Sequence, residues 1–164
     1  MKKLIATALL GAGLLAGTAQ AEQVGGLYVG ITGGVDKIDV DDLPGVDFDD
    51  GDVVGVLAGM RFANGLAIEL AGAQSEADTS LGCQLDLDTL ALYGAWRSSG
   101  TVYFKARVGL LKEEADLCGA SEDDSGLSLG AGAGVRFGMV AVEAEYTVVE
   151  EDVGRAAVNV VVNF

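Results

Sequence analysis

Eight stretches of nine to eleven residues, each alternating apolar positions with small or polar ones, leave few folds open to this chain. They read LYVGITGGV (27–35), VVGVLAGMRF (53–62), LAIELAGAQ (66–74), TLALYGAWR (89–97), TVYFKARVGLL (101–111), LSLGAGAGVRF (127–137), VAVEAEYTVV (140–149) and AAVNVVVNF (156–164). A period of two marks strands with unlike faces, and about 9–11 residues is the length a tilted strand needs to cross a bilayer. Pro44 is the only proline, so none of the eight stretches is interrupted.

The connections alternate in length: 17 residues (36–52), three (63–65), 14 (75–88), three (98–100), 15 (112–126), two (138–139) and six (150–155). Short connections such as Ala63-Asn64-Gly65 suit tight hairpins. Long loops alternating with short turns are the pattern of a bacterial outer-membrane barrel, whose periplasmic turns are short and whose extracellular loops are long. The expected fold is all-β, an eight-stranded antiparallel up-and-down transmembrane β-barrel. The even strand number predicts both termini on the periplasmic side.

The two faces of the strands differ in chemistry. One parity carries Leu27, Val29, Ile31, Val54, Leu70, Leu92, Val108, Leu129, Val142 and Val160 among others, and no charge. The other carries Arg61, Glu69, Arg97, Lys105, Arg107, Arg136, Glu143 and Glu145, interspersed with glycines. The fourth stretch can be read in either register. A water-soluble sandwich or ligand-binding barrel would bury the apolar face and wet the charged one, which alternation alone permits. Two features favour lipid: the charged face is rich in Gly, as a crowded lumen requires, and every second strand ends on an apolar-face aromatic, Phe62, Trp96, Phe137 or Phe164. That common level predicts half an aromatic girdle at the periplasmic interface. A strand ending on Phe164 and pairing with the first would leave no edge unsatisfied in lipid.

The segment MKKLIATALLGAGLLAGTAQA has two lysines, an apolar run too short to span and a small-x-small terminus. Residues 1–21 are expected to be a cleaved signal peptide, leaving 22–164 as one barrel domain. That domain holds eight basic and 25 acidic residues, a net charge of −17, which argues against nucleic acid as a partner. The absence of His removes Ser-His-Asp triads, His-ligated zinc and His proton shuttles. No enzyme activity and no cofactor are expected.

The chain resembles the small outer-membrane β-barrel domain proteins of OmpA/OmpX type, often labelled porin-like. The resemblance rests on GLYVGITGGV near the start, LYGAWRSSGTVYFKARVGLL in the middle and the terminal strand ending in Phe. It implies a Gram-negative outer membrane, surrounding lipid and lipopolysaccharide, and insertion by the barrel-assembly machinery. In that family the terminal aromatic strand is the assembly signal, a role that would fall to Phe164 with Val162, Val160 and Val158.

Eight strands leave a lumen just wide enough for side chains to fill. The inward charges Arg61, Glu69, Lys105, Arg107, Arg136, Glu143 and Glu145 are therefore expected to pair into a plug, with Arg107 and Arg136 near Glu143 and Glu145, and Arg97 near the lower rim. The alternative is a narrow, gated porin-like channel for ions or small solutes. The connections hold 21 of the 25 acidic residues and only Lys37, Lys112 and Arg155 as bases. This predicts a solvated, self-repelling surface with a structural or surface-interaction role, contacting lipopolysaccharide, divalent cations or another surface ligand. The run DFDDGD makes Asp47, Asp49, Asp50 and Asp52 a weak Ca²⁺ candidate, but its Gly is one position early for an EF-hand and its twelfth residue is Ala58. No dedicated metal site is expected. Cys83 and Cys118 fall in two long connections of a chain that passes an oxidising compartment. A disulfide between them would constrain about 35 residues and contribute roughly 3–4 kcal/mol; two free thiols, or a pair with a partner, are the other readings.

Overall fold

The computed structural model describes residues 25–38, 51–78, 84–117, 120–150 and 153–164. Among them the chain forms β1 (Gly26–Ile38), β2 (Gly51–Arg61), β3 (Leu66–Asp78), β4 (Gln84–Arg97), β5 (Val102–Leu117), β6 (Ala120–Phe137), β7 (Val140–Glu150) and β8 (Val153–Asn163). Each strand pairs antiparallel with its sequence neighbours, and β8 returns to β1 to close the barrel. Closure runs from Tyr28 opposite Asn163 to Ile38 opposite Val153, and the Phe164 N–H donates to the Leu27 carbonyl at 2.8 Å. The eight-stranded up-and-down barrel expected from the alternation is thus the observed fold.

The three short connections and the two ends of the described barrel, Gly25 and Phe164, share one end. At that end Gly65 (φ 82°) and Gly138 (φ 64°) take left-handed backbone conformations that other residues adopt only at a cost. At the opposite end the ladders run well past the apolar stretches. The β5–β6 pairing continues to Leu117 opposite Ala120, and β3–β4 to Asp78 opposite Gln84. Much of what the alternation assigns to long loops is therefore extended hairpin. The reason is physical: apolar alternation stops where lipid stops, whereas backbone pairing does not.

The faces settle the choice left open between lipid and water. Outward positions are apolar and exposed: Ile31 is 59% accessible, Leu92 54%, Phe104 67% and Leu110 69%. Inward positions hold Glu69 and Glu143 at 0% and Arg97 and Lys105 at 2%. In water this barrel would be inside out. About ten residues per strand, every second one outward and mostly apolar, at about 3.3 Å each and a tilt near 40°, give a band of about 25 Å, the height expected of a membrane barrel. The fourth stretch resolves with Leu90, Leu92 and Trp96 outward and Tyr93, Ala95 and Arg97 inward.

Glycine on the inner face makes room for rings. Tyr28, Tyr93 and Tyr103 stand directly opposite Gly59, Gly109 and Gly134 on the neighbouring strand. A Cβ added at Gly134 would lie 2.6 Å from the Tyr103 ring, so the tyrosine lies across its partner strand and fills the lumen from the side. The expectations for residues 1–21, for Cys83 and Cys118, and for Asp47, Asp49 and Asp50 fall outside the described residues. Asp52 is described: it lies exposed in β2, opposite Val35 and Glu76.

Candidate functional site in the barrel lumen

The inward charges come from strands on all sides of the barrel and form layers along its axis. The middle layer is a closed network of three cations and three carboxylates. Arg97, on β4, donates from Nε to Glu143 at 2.8 Å and from Nη2 to Glu69 at 2.8 Å. Lys105 Nζ reaches Glu69 at 3.2 Å, Glu143 at 3.1 Å and Glu145 at 2.7 Å. Arg107 bridges Glu69 at 3.1 Å and Glu145 at 2.5 Å, with its guanidinium 4.1 Å from the Tyr93 ring centroid. Two phenols complete the network: Tyr28 donates to Glu69 at 2.9 Å and Tyr103 to Glu143 at 2.7 Å. Fixed opposite charges in a low-dielectric lumen satisfy one another, and Glu69 and Glu143 each accept from several donors.

The second layer lies toward the hairpin end. Arg155 grips Asp36 with two hydrogen bonds of 2.7 and 2.8 Å and donates to Thr89 at 3.1 Å. Both residues are buried, Asp36 at 0% and Arg155 at 8% exposure. The sequence placed both in connections, and the structure corrects that. Their strands extend upward past the apolar band, and their side chains point inward by the same parity as Tyr28 and Asn159. Between the layers lies a cavity of about 30 Å³, bordered by Thr32, Thr89, Arg107, Glu145, Thr147 and Asn159. At about 10–15 Å³ per water, it has room for roughly two.

Of the seven inward charges singled out in the sequence, the structure brings together Glu69, Lys105, Arg107, Glu143 and Glu145. Arg97 joins them as a central member rather than a rim residue, because its register opposite Lys105 sets it level with the network. Arg61 and Arg136 do not join. Arg136 lies opposite Ala141, two positions nearer the short turns than Glu143, and Arg97, Lys105 and Tyr103 already occupy that carboxylate. The two arginines instead stand over tyrosine rings, Arg61 at 5.6 Å from the Tyr28 centroid and Arg136 at 5.0 Å from that of Tyr103. Phe62, Trp96, Phe137 and Phe164 all face outward at the short-turn end, 40, 45, 66 and 36% exposed.

Outside the lumen, just above the apolar band, the strand register aligns acids. Asp52 is opposite Glu76 and Glu76 opposite Asp86; one row lower, Asp88 is opposite Glu114 and Glu114 opposite Asp123. Gln74 donates to Asp88 at 2.7 Å, and Lys112 lies 3.6 Å from Asp123. Among the described residues no group of three or more acids is arranged to hold a metal ion.

A family model described as outer membrane protein beta-barrel domain matches residues 5–164. Among solved structures, the fold is similar to Neisserial surface protein A (TM-score 0.59, 16% identity, covering 87% of this chain and 98% of that one). It is also similar to the N-terminal barrel domain of OprF from Pseudomonas aeruginosa (0.57, 14%, 85% and 99%). A third similar structure is Ail of Yersinia pestis in complex with the heparin analogue sucrose octasulfate (0.52, 17%, 85% and 95%). No curated protein sequence matches the chain.

Proposed function

The chain belongs to the outer membrane protein beta-barrel domain family, and from that premise we propose that it is a sealed, non-enzymatic barrel that works through the outer face of its acidic hairpins. Its location is the outer membrane of a Gram-negative bacterium. In this reading residues 1–21 are removed on export, the short turns are periplasmic and the hairpins extracellular. The assembly machinery reads the strand that ends in Phe164.

One observation carries the proposal: six carboxylates in two cross-strand rows above the lipid band. Like charges directly opposite on neighbouring strands destabilise a sheet. A surface that keeps them gains most from an external cation. At the level of lipid headgroups, that cation is a divalent ion shared with the phosphates of lipopolysaccharide. In sequence, Cys83 directly precedes β4 and Cys118 directly follows β5, a neighbouring strand, and Leu85 is opposite Leu117. This supports the disulfide as a clasp between the β3–β4 and β5–β6 hairpins, which carry the acidic rows. A sulfated sugar of the kind bound to Ail carries the wrong charge for such a surface.

The test is lipopolysaccharide capture by immobilised folded protein in Mg²⁺. Capture is expected to fall at least tenfold with chelator, and likewise in a variant combining Asp86→Asn, Asp88→Asn and Glu114→Gln. Equal capture by that variant would remove the hairpins from the function.

A second reading, a narrow channel, draws on the polar cavity between the two lumen layers. Planar-bilayer conductance separates the two. The network and the Asp36–Arg155 pair predict no current above baseline, whereas steady ion-selective current would transfer the function to the lumen.

A further inference from the structure

The lumen charges do not sum to zero. The middle network balances three cations with three carboxylates, Arg155 balances Asp36, and Glu113 is buried farther up β5 toward the hairpin end, which leaves Arg61 and Arg136 without a carboxylate ion pair among the described residues. Both project into the lumen at the short-turn end. β2 and β6 stand four strands apart in a ring of eight, so the two arginines come from opposite walls. Arg61 is within electrostatic reach of Arg136 and of Arg97 above it, so like charges gather at this end. Stacking on Tyr28 and Tyr103 occupies the faces of the two guanidinium groups and leaves their N–H edges free. Nε and Nη2 of Arg61 and Nε of Arg136 are buried with no hydrogen-bond partner. The small residues Ala67 and Ala141 stand directly opposite Arg61 and Arg136 on the neighbouring strands, and both arginines are only half-buried.

We propose that this short-turn mouth is a binding site for one small oxyanion of the phosphate class, gripped by Arg61 and Arg136 from opposite walls. Uncompensated buried N–H groups and two like charges held together both call for an anion. Guanidinium edges match a tetrahedral oxyanion, which presents oxygens in several directions and accepts from both sides at once. A spherical halide or a planar carboxylate uses that geometry less well. Tyr28 and Tyr103 position the two forks, and the neutral network above closes the far side. The site is independent of the hairpin reading, since it lies at the other end of the barrel and has the opposite charge.

The experiment is calorimetric titration of inorganic phosphate into the folded protein in a phosphate-free non-ionic detergent. One saturable site is expected, competed by sulfate and not by chloride at equal ionic strength. The double variant Arg61→Gln with Arg136→Gln should lose at least tenfold in affinity, with folding checked by heat-dependent gel mobility. If that variant does not fold, Arg61→Lys and Arg136→Lys, which keep the charge and drop the fork, should each weaken binding tenfold. An absence of saturable heat would overturn the site, as would unchanged affinity in the variants. So would binding seen only with phosphatidylglycerol bicelles and not with free phosphate, since that would assign the anion to a lipid headgroup.

Discussion

Glu69→Ala is expected to destabilise the barrel by about 3–5 kcal/mol, the range for breaking a buried ion pair from one side. Glu69 is fully buried and accepts from Tyr28, Arg97, Lys105 and Arg107. Its loss leaves the middle layer with three cations and two carboxylates, and the surplus charge cannot reach water. The double variant Glu69→Ala with Lys105→Met restores neutrality and should cost less than the sum of the single costs, by a coupling of about 1–3 kcal/mol. Trp96, the only tryptophan, faces outward at the short-turn end and reports unfolding in lipid vesicles through its fluorescence. A single-variant cost under about 1 kcal/mol would mean that water already penetrates the network and that the lumen is not sealed.

The fold was legible because two signals agree. Alternation fixes which face meets lipid, and the long-short rhythm of connections fixes topology. At the short-turn end the predicted strand limits fall within one residue of those observed, since Asn64-Gly65 and Gly138 punctuate the chain where apolar residues still flank them. At the hairpin end they fall short by up to seven residues, as for β6, which begins at Ala120 rather than Leu127. There the strands run beyond the lipid, their outer positions become acidic, and a hydrophobic period has nothing left to detect. Asp36 and Arg155 were misplaced for the same reason. Extending the parity of Tyr28-Gly30-Thr32-Gly34 by one step would have turned Asp36 inward. Nothing local to Arg155 named its partner, which is 119 residues away.

The composition of the lumen was easier to read than its pairing. Parity alone collects the charges, but partners depend on the stagger between strands, which the sequence does not display. Arg97 ends its strand, which alone marks a rim position, yet the stagger sets it opposite Lys105, amid the carboxylates. Arg136 is drawn toward Tyr103, whose ring lies over Gly134. The tyrosine–glycine pairs explain both the abundant lumen glycines and the stacking of the outlying arginines. The pattern Tyr-x-Lys-x-Arg at 103–107, opposite the glycines of β6, was the one sequence sign of this arrangement.

Leu92→Arg is the converse test, placing a charge where the sequence permits none. Leu92 faces outward, 54% exposed, in a row with Leu70 and Leu110 near the middle of the apolar band. A cation at the bilayer midplane of such a barrel costs about 2–4 kcal/mol, falling to about 0–1 near either interface. The expected cost for Leu92→Arg is therefore in the upper range, and for Leu90→Arg, one outward position nearer the acidic rows, it should be distinctly smaller. The measurement is the shift in the urea unfolding midpoint in vesicles across both variants. A barrel that exposes this face to water would show neither the cost nor the gradient, because an arginine on a solvated strand changes stability by only a few tenths of a kcal/mol. The depth dependence thus tests the inside-out arrangement itself: a neutralised network of buried charges holds the interior together, and lipid rather than water surrounds the rest.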